Sequence, residues 1–432
     1  TNRTRWAGLA AGAALLVSVA VGTGAPAFAA PVGAAPATAT ATAATATATE
    51  PEAELPPLDP AAIRTALGQR PAADVTGAFV RVTGSAGGFQ GASGIGDLAT
   101  GQAVDPDGRF RIGSISKVFT TAVVLQLAGQ GRLDLDEAVQ HYLPGVLPAG
   151  FPPVTVGELL NHTSGLPTGS DEMWGDGSTA WFAAHRLDSW TPQQVVATLD
   201  GQSMSFEPGT AQQYNGMNTF LAGMVIERVT GHSYAHEVQN RIIRPLGLHD
   251  TSVPDADNVR LLHPSSHAYL AVTTPDGDTL PRQSTGGTSL ADVTEQSPWP
   301  WAEGGLISSA PDLDRFISAL FKGRLLPPSV QEELFTVPDL PNDRNDSCGK
   351  GPTSRACMSM GLERVEKDGV VAWGKTGSRP GYTSGVFATR DLRRKAVYSL
   401  NPTGVVGAES PYASRLLITA FGLTGQAHSK VS

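Results

Sequence analysis

Cysteine is nearly absent from this sequence: 432 residues contain two, Cys348 and Cys357, within "SCGKGPTSRAC". Their spacing fits no zinc or redox motif. In an exported chain the pair would close a short loop as a disulfide; otherwise it would be two free thiols. A positive field is also missing. Lys and Arg number 31 against 40 Asp and Glu, with no basic stripe, which argues against a nucleic-acid partner. Long apolar runs are confined to the first residues. Beyond them no stretch approaches the roughly 18 apolar residues that a membrane-spanning helix needs.

The opening segment, "TNRTRWAGLAAGAALLVSVAVGTGAPAFAAPVG", begins with Arg3 and Arg5, continues through an apolar run from Trp6 to Val21 and ends on Ala27-Phe28-Ala29. Positive, apolar and small residues in that order are expected of a secretory signal over residues 1–29. An uncleaved anchor is the alternative, disfavoured because Gly and Ser dilute a short run. Residues 30–57, "APVGAAPATATATAATATATEPEAELPP", alternate Ala and Thr with Pro and Glu. They offer little to bury and are expected to form a disordered spacer. The expected arrangement is therefore a secreted chain, off the membrane after cleavage, with one domain over 58–425 and a short tail over 426–432. With 41% hydrophobic residues, the chain can bury a large core.

Within that domain, 75–104 alternates apolar and small residues around glycine-rich turns, the pattern of strands and hairpins. "SISKVFTTAVVLQLAGQGRLDL" is apolar on almost every side and stops at Gly129 and Gly131, which describes a buried helix. A helix-rich middle follows, and strand-like runs return in "GVVAWGKTG", "YTSGVFATRD" and "RRKAVYSLNP" before a closing apolar helix. Strands at both ends and helices between predict an α+β fold. Its antiparallel sheet would draw on both ends of the chain, with helices at its sides and a helical subdomain inserted.

Chemistry concentrates in two short motifs. Ser114 and Lys117, in "FRIGSISKVFTT", lie three apart at the start of the buried helix and so share one side. A helix N-terminus adds unpaired N–H groups and a positive dipole beside the serine. A lysine screened from water can lose enough basicity to activate a hydroxyl. Here Lys117 is the only charge until Arg132. The second motif is Lys375-Thr376-Gly377 in "WGKTGSRPGYTSGVF", where a strand edge can offer N–H groups and a hydroxyl to a bound substrate. Each motif is weak alone. As a pair they match the signature of penicillin-recognising serine enzymes.

The resemblance covers nearly all of 58–425. "LLNHTSGLP", "PGTAQQYNGMNTFLAGMVIERVTGHSYAHEVQNRIIRPLGL", "ADVTEQSPWPWAEGGLISSAPDLDRFISALFKGRLL" and both motifs resemble secreted bacterial D-alanyl-D-alanine carboxypeptidases. Class C β-lactamases and D-aminopeptidases belong to the same broader family. The resemblance implies the β-lactamase/D,D-peptidase fold and attack by Ser114 on a D-Ala-D-Ala bond or a β-lactam, giving an acyl-enzyme. Lys117 would activate Ser114. Tyr214 would take the serine proton and pass it to the leaving amine. Lys375 would hold negative charge or lower a neighbour's pKa. The backbone N–H groups of Ser114 and Ser378 would form the oxyanion hole, with Thr376 and Ser378 hydroxyls toward the substrate carboxylate and Gly377 on the binding strand. The substrate would be a D-amino-acid peptide or peptidoglycan stem peptide and β-lactams would inhibit. The protein would act as a monomer, with no metal or organic cofactor.

Two departures weaken the carboxypeptidase expectation. The family pattern is Tyr, any residue, Asn, but Tyr214 is followed by Asn215 and Gly216, with Asn218 further on. In the family that asparagine contacts the substrate's acyl-side amide and the catalytic lysine. Here Asn215 or Asn218 would have to replace it, or the contact is missing. An arginine expected before the Lys-Thr-Gly strand is represented by Arg364, one residue out of place and beside Glu363, which would repel a carboxylate. Esterase or D-aminopeptidase activity fits a weakened carboxylate pocket, and a penicillin- or peptidoglycan-binding protein with little turnover is the reading from another class. Trp301 is expected to line the cleft and Trp299 to pack. "NHTSGL" is expected to be a structural loop near the site, and His232 and His236, lacking a third ligand, surface histidines. "GHSYA" lacks the preceding strand that a lipase elbow requires.

Overall fold

A computed structural model describes residues 54–170, 175–272, 282–285, 288–343, 348–349, 351–404 and 410–423. The expected export signal, all but the end of the spacer, and the tail lie outside these residues. Contacts of the folded body begin within the last residues of the expected spacer. Leu55 is buried, and the Pro56 carbonyl accepts from the Arg394 guanidinium at 3.0 Å.

The largest sheet joins the two ends of the chain, as the strand pattern predicts. Val75–Thr83 (β1) pairs with Phe89–Asp97 (β2), which carries the short strand Gln102–Ala103 (β3). On its other side β1 pairs antiparallel with a strand from the far end, Lys395–Pro402 (named β12 below). The order continues through Tyr382–Ala388 (β11), Val370–Arg379 (β10) and Glu363–Lys367 (β9), giving β3-β2-β1-β12-β11-β10-β9. Every pairing in it is antiparallel. Between the halves lie Arg109–Arg111 (β4) paired with Ile307–Ser309 (β8), and a small sheet of Tyr269–Ala271 (β5), Arg282–Thr285 (β6) and Thr288–Asp292 (β7).

Both faces of the main sheet are covered, which explains why β1 and β12 read as nearly continuous apolar runs. Ala78, Val80 and Val82 pack with Tyr398 and Leu400 against the helices Pro60–Gly68 and Ser410–Ala420. Phe79, Val386 and Val397 face the larger core, built around the helices Ser116–Gly129, Met217–Thr230 and Ala310–Phe321. Every residue from Ser116 to Leu127 is buried. That helix runs through the interior and starts beside β10, so its first turn delivers Ser114 and Lys117 to the sheet. Among the described residues no helix is long and apolar enough to cross a membrane.

Candidate active site

Ser114 sits in a single 3-10 turn, Gly113–Ile115, immediately before the helix that carries Lys117. Two glycines bring this turn against β10. Gly113 has φ +51, and a Cβ there would lie 2.5 Å from the Ser378 nitrogen. A Cβ on Gly377 would collide with the Ile112 carbonyl. With neither side chain present, the backbones of Ser114 and Ser378 adjoin, as an oxyanion hole requires. Gly377 therefore acts by its lack of a side chain.

Lys117 is 2% exposed and donates to Ser114 Oγ at 3.0 Å and to the Glu303 carbonyl at 2.9 Å; it also forms an ion pair with the Glu303 carboxylate. Burial pulls its pKa down to about 8, although Glu303 pushes it back up. A neutral fraction therefore exists near neutrality, and a neutral amine at 3.0 Å can accept the Ser114 proton.

Tyr214 lies between the two lysines, with Lys117 Nζ 5.0 Å and Lys375 Nζ 4.7 Å from its ring centroid. Burial first, and then the Glu303 carboxylate, push its pKa well above that of a free phenol; Ser114 offsets this in part. The hydroxyl makes no hydrogen bond of good geometry among the described residues, although Ser114 is near enough to ease its ionisation. Tyr214 is thus a neutral phenol. Ser114's proton is better received by Lys117, and Tyr214 is suited to hand a proton to the leaving group.

His162, expected only within a structural loop near the site, is part of this wall. Its buried ring lies 4.7 Å from that of Tyr214. Burial and the two lysine charges hold its pKa well below the usual imidazole value. Its Nδ1 faces the Asn218 side-chain nitrogen at 3.1 Å and the Asn215 N–H at 3.4 Å. A neutral imidazole that accepts here fixes the segment around Tyr214. The "NHTSGL" landmark was the available signal.

Neither asparagine fills the gap beside Tyr214. Asn215 is 3% exposed and donates to the carbonyls of Leu166 and Pro167, while its oxygen accepts the Met217 N–H at 2.9 Å. Asn218 is fully buried between Ser164 Oγ and His162. Both serve the loop behind the tyrosine. The space beside Gly216 is instead filled by Glu303, because a Cβ on Gly216 would lie 3.1 Å from both Cγ and Oε1 of that residue.

The carboxylate pocket also differs from expectation. Lys375 is 4% exposed and paired with buried Glu363, whose carboxylate also accepts from Thr376 Oγ1 at 3.2 Å. Arg364 takes no part in the site; it pairs with Glu366 at the surface, at 2.7 Å. Adjacent strand residues alternate faces, so burying Glu363 turns Arg364 outward.

Both tryptophans pack partly buried against the large core. Trp301, at φ 52, packs edge-on against Tyr234 with centroids 5.2 Å apart and lies over Gly223, where a Cβ would come 2.7 Å from its ring. Trp299 also lines a cavity of about 310 Å³ with Trp181, Trp190 and Arg379, to which Ser114, Lys117 and Tyr214 do not contribute. The Cys348–Cys357 disulfide is formed. His232 and His236 do have a third potential ligand nearby, Glu237. Its oxygens are engaged, one by His232 at 2.9 Å and the other by Arg241 at 2.5 Å.

A serine under a buried lysine, a neutral tyrosine and adjoining backbone N–H groups make the site of a serine hydrolase. The β-lactamase family model matches residues 63–417, and the chain belongs to that family. Among solved structures it is similar to a D-stereospecific amidohydrolase from Streptomyces sp., at 33% identity and TM-score 0.70, covering 85% of this chain and all of that one. It is similar to penicillin-binding protein 4 of Amycolatopsis lactamdurans, 33% identical over 45% of this chain, and spans only 50% of that relative's length. Esterase EstB of Burkholderia gladioli is 28% identical over 62% of this chain and 69% of its own.

Proposed function

We propose that this chain hydrolyses amides and esters whose acyl part is a D-amino acid, through an acyl-enzyme on Ser114. The observation that carries this reading is the Glu363–Lys375 ion pair. A carboxypeptidase must receive the free carboxylate of its substrate's last residue, and here Lys375 is already neutralised while Arg364 is bound elsewhere. An amide or ester with no carboxylate on its leaving group loses nothing from that arrangement. The names of the amidohydrolase and esterase relatives support it. Export is part of the same reading, supported by the N-terminal pattern and by a disulfide that suits an oxidising compartment.

A D-alanyl-D-alanine carboxypeptidase on peptidoglycan-type peptides, open to β-lactam acylation, is the second reading. The retained Lys375-Thr376-Gly377 run favours it, and it requires Lys375 to leave Glu363 when substrate enters. The deciding experiment is a panel of D-amino-acid amides, simple esters and D-Ala-D-Ala peptides. Amide and ester cleavage should exceed free D-alanine release. Selective carboxypeptidase turnover would reverse the order of the two readings. Ser114→Ala should abolish labelling by a fluorophosphonate; a surviving adduct would place the nucleophile elsewhere.

A further inference from the structure

We infer that Glu303 sets the acyl-side specificity: its carboxylate receives the α-ammonium group of an unblocked D-amino-acid residue and disfavours N-acylated substrates. The inference rests on the reading that Ser114 is acylated by D-amino-acid derivatives. It begins at Gly216, where the family's asparagine would stand. An asparagine amide offers a donor to an acyl-side carbonyl, whereas an ionised carboxylate only accepts. Glu303 fills the volume beside Gly216, so the group presented to the acyl side changes from donor to anion.

The carboxylate is held in place and remains open. Its Oε1 engages Lys117, and the residue's own carbonyl accepts from the same ammonium at 2.9 Å, which fixes the side chain at both ends. Oε2 makes no hydrogen bond among the described residues, and the side chain is 13% exposed. Lys117 also touches Ser114 Oγ at 3.0 Å, so Glu303 lies one contact away from the nucleophile. The α-nitrogen of a substrate is two bonds from the carbonyl carbon that Ser114 attacks, on the acyl side where Glu303 stands beside Gly216. Glu303 offsets Lys117 and Glu363 offsets Lys375, while Arg379 donates to the uncharged Gln296 Oε1 at 3.2 Å and Ser297 carbonyl at 3.1 Å and keeps its charge, so the α-ammonium depends on the open Oε2 alone. An N-acyl carbonyl at the same place would set oxygen against oxygen.

The test compares D-alanine p-nitroanilide with its N-acetyl derivative on wild type, Glu303→Gln and Glu303→Asp, at about pH 7, where most of the free α-amine is charged. Wild type should prefer the free amine. Glu303→Gln should shrink the ratio of the two kcat/KM values by about ten- to a hundredfold, the worth of one hydrogen bond to a charged group. Glu303→Asp should keep part of the preference. Because both substrates are read on one preparation, the ratio does not depend on how much of a variant folds. If Glu303 only holds Lys117, both substrates will change by the same factor and the ratio will stay fixed; that would overturn the inference and leave the proposed function standing. A wild type that prefers the N-acetyl compound would overturn both.

Discussion

Substituting Glu363 by Gln tests whether Lys375 is a carboxylate receptor blocked from within. Two effects of opposite benefit are expected. The pair is buried at 5% and 4% side-chain exposure, so removing its negative charge leaves an ammonium without its counter-charge. Breaking a buried pair from one side costs about 3–5 kcal/mol. The amide oxygen of Gln still accepts from Lys375 or Thr376, which puts the expected loss near the lower end. At about 2 °C per kcal/mol for a large domain, Tm should fall by roughly 6 °C. Function should move the other way for one substrate class. The freed ammonium can bond a terminal carboxylate, a contact typically worth about 1.5–3 kcal/mol, or ten- to a hundredfold in kcat/KM for D-Ala-D-Ala peptides. Esters with no carboxylate should change little. The assay is a thermal melt together with the ratio of free D-alanine release to ester cleavage. A variant with lower Tm but an unchanged ratio would refute the idea that Glu363 is what closes the pocket to carboxylates.

The pH dependence follows from Lys117. Its pKa lies at about 8 in the folded protein, below the ordinary lysine value, and the neutral amine is the form that accepts the Ser114 proton. On an ester with no ionisable group, kcat/KM should therefore rise as pH passes upward through about 8. Glu303→Gln should move that limb lower, because Glu303 raises the lysine's pKa; a rate flat across this range would exclude Lys117 as the acceptor. Gly216→Asn should reduce turnover about tenfold or more, since its Cβ meets Glu303 at 3.1 Å, and overpacking of this kind commonly costs about 1–3 kcal/mol. Adding Glu303→Ala should relieve the clash, whereas a single Gly216→Asn variant as fast as wild type would show that the space is open.

What the sequence disclosed divides by how local the signal is. Ser114 and Lys117 are three residues apart on one helix, and the Lys375-Thr376-Gly377 run occupies one strand, so secondary structure alone sets each group's internal geometry. The α+β architecture was legible for a related reason: strands buried on both faces read as apolar runs at the two ends of the chain. Glu303 is different. It meets Lys117 across 186 residues, and nothing in "WPWAEGG" marks it except a single acid after two landmark tryptophans. The packing of Trp301 was no more legible, because a left-handed φ there goes with a ring laid over Gly223, a backbone choice that spacing does not reveal. Glu363 was visible as a residue that would repel a carboxylate, but its bond to Lys375 depends on where β9 begins against β10. Gly216 connects these cases. As sequence it was a missing asparagine that invited a search among the neighbouring asparagines. In the folded chain, the absent side chain leaves room for a carboxylate from a distant turn, so the substitution at Gly216 and the acid at Glu303 are two halves of one change in the site.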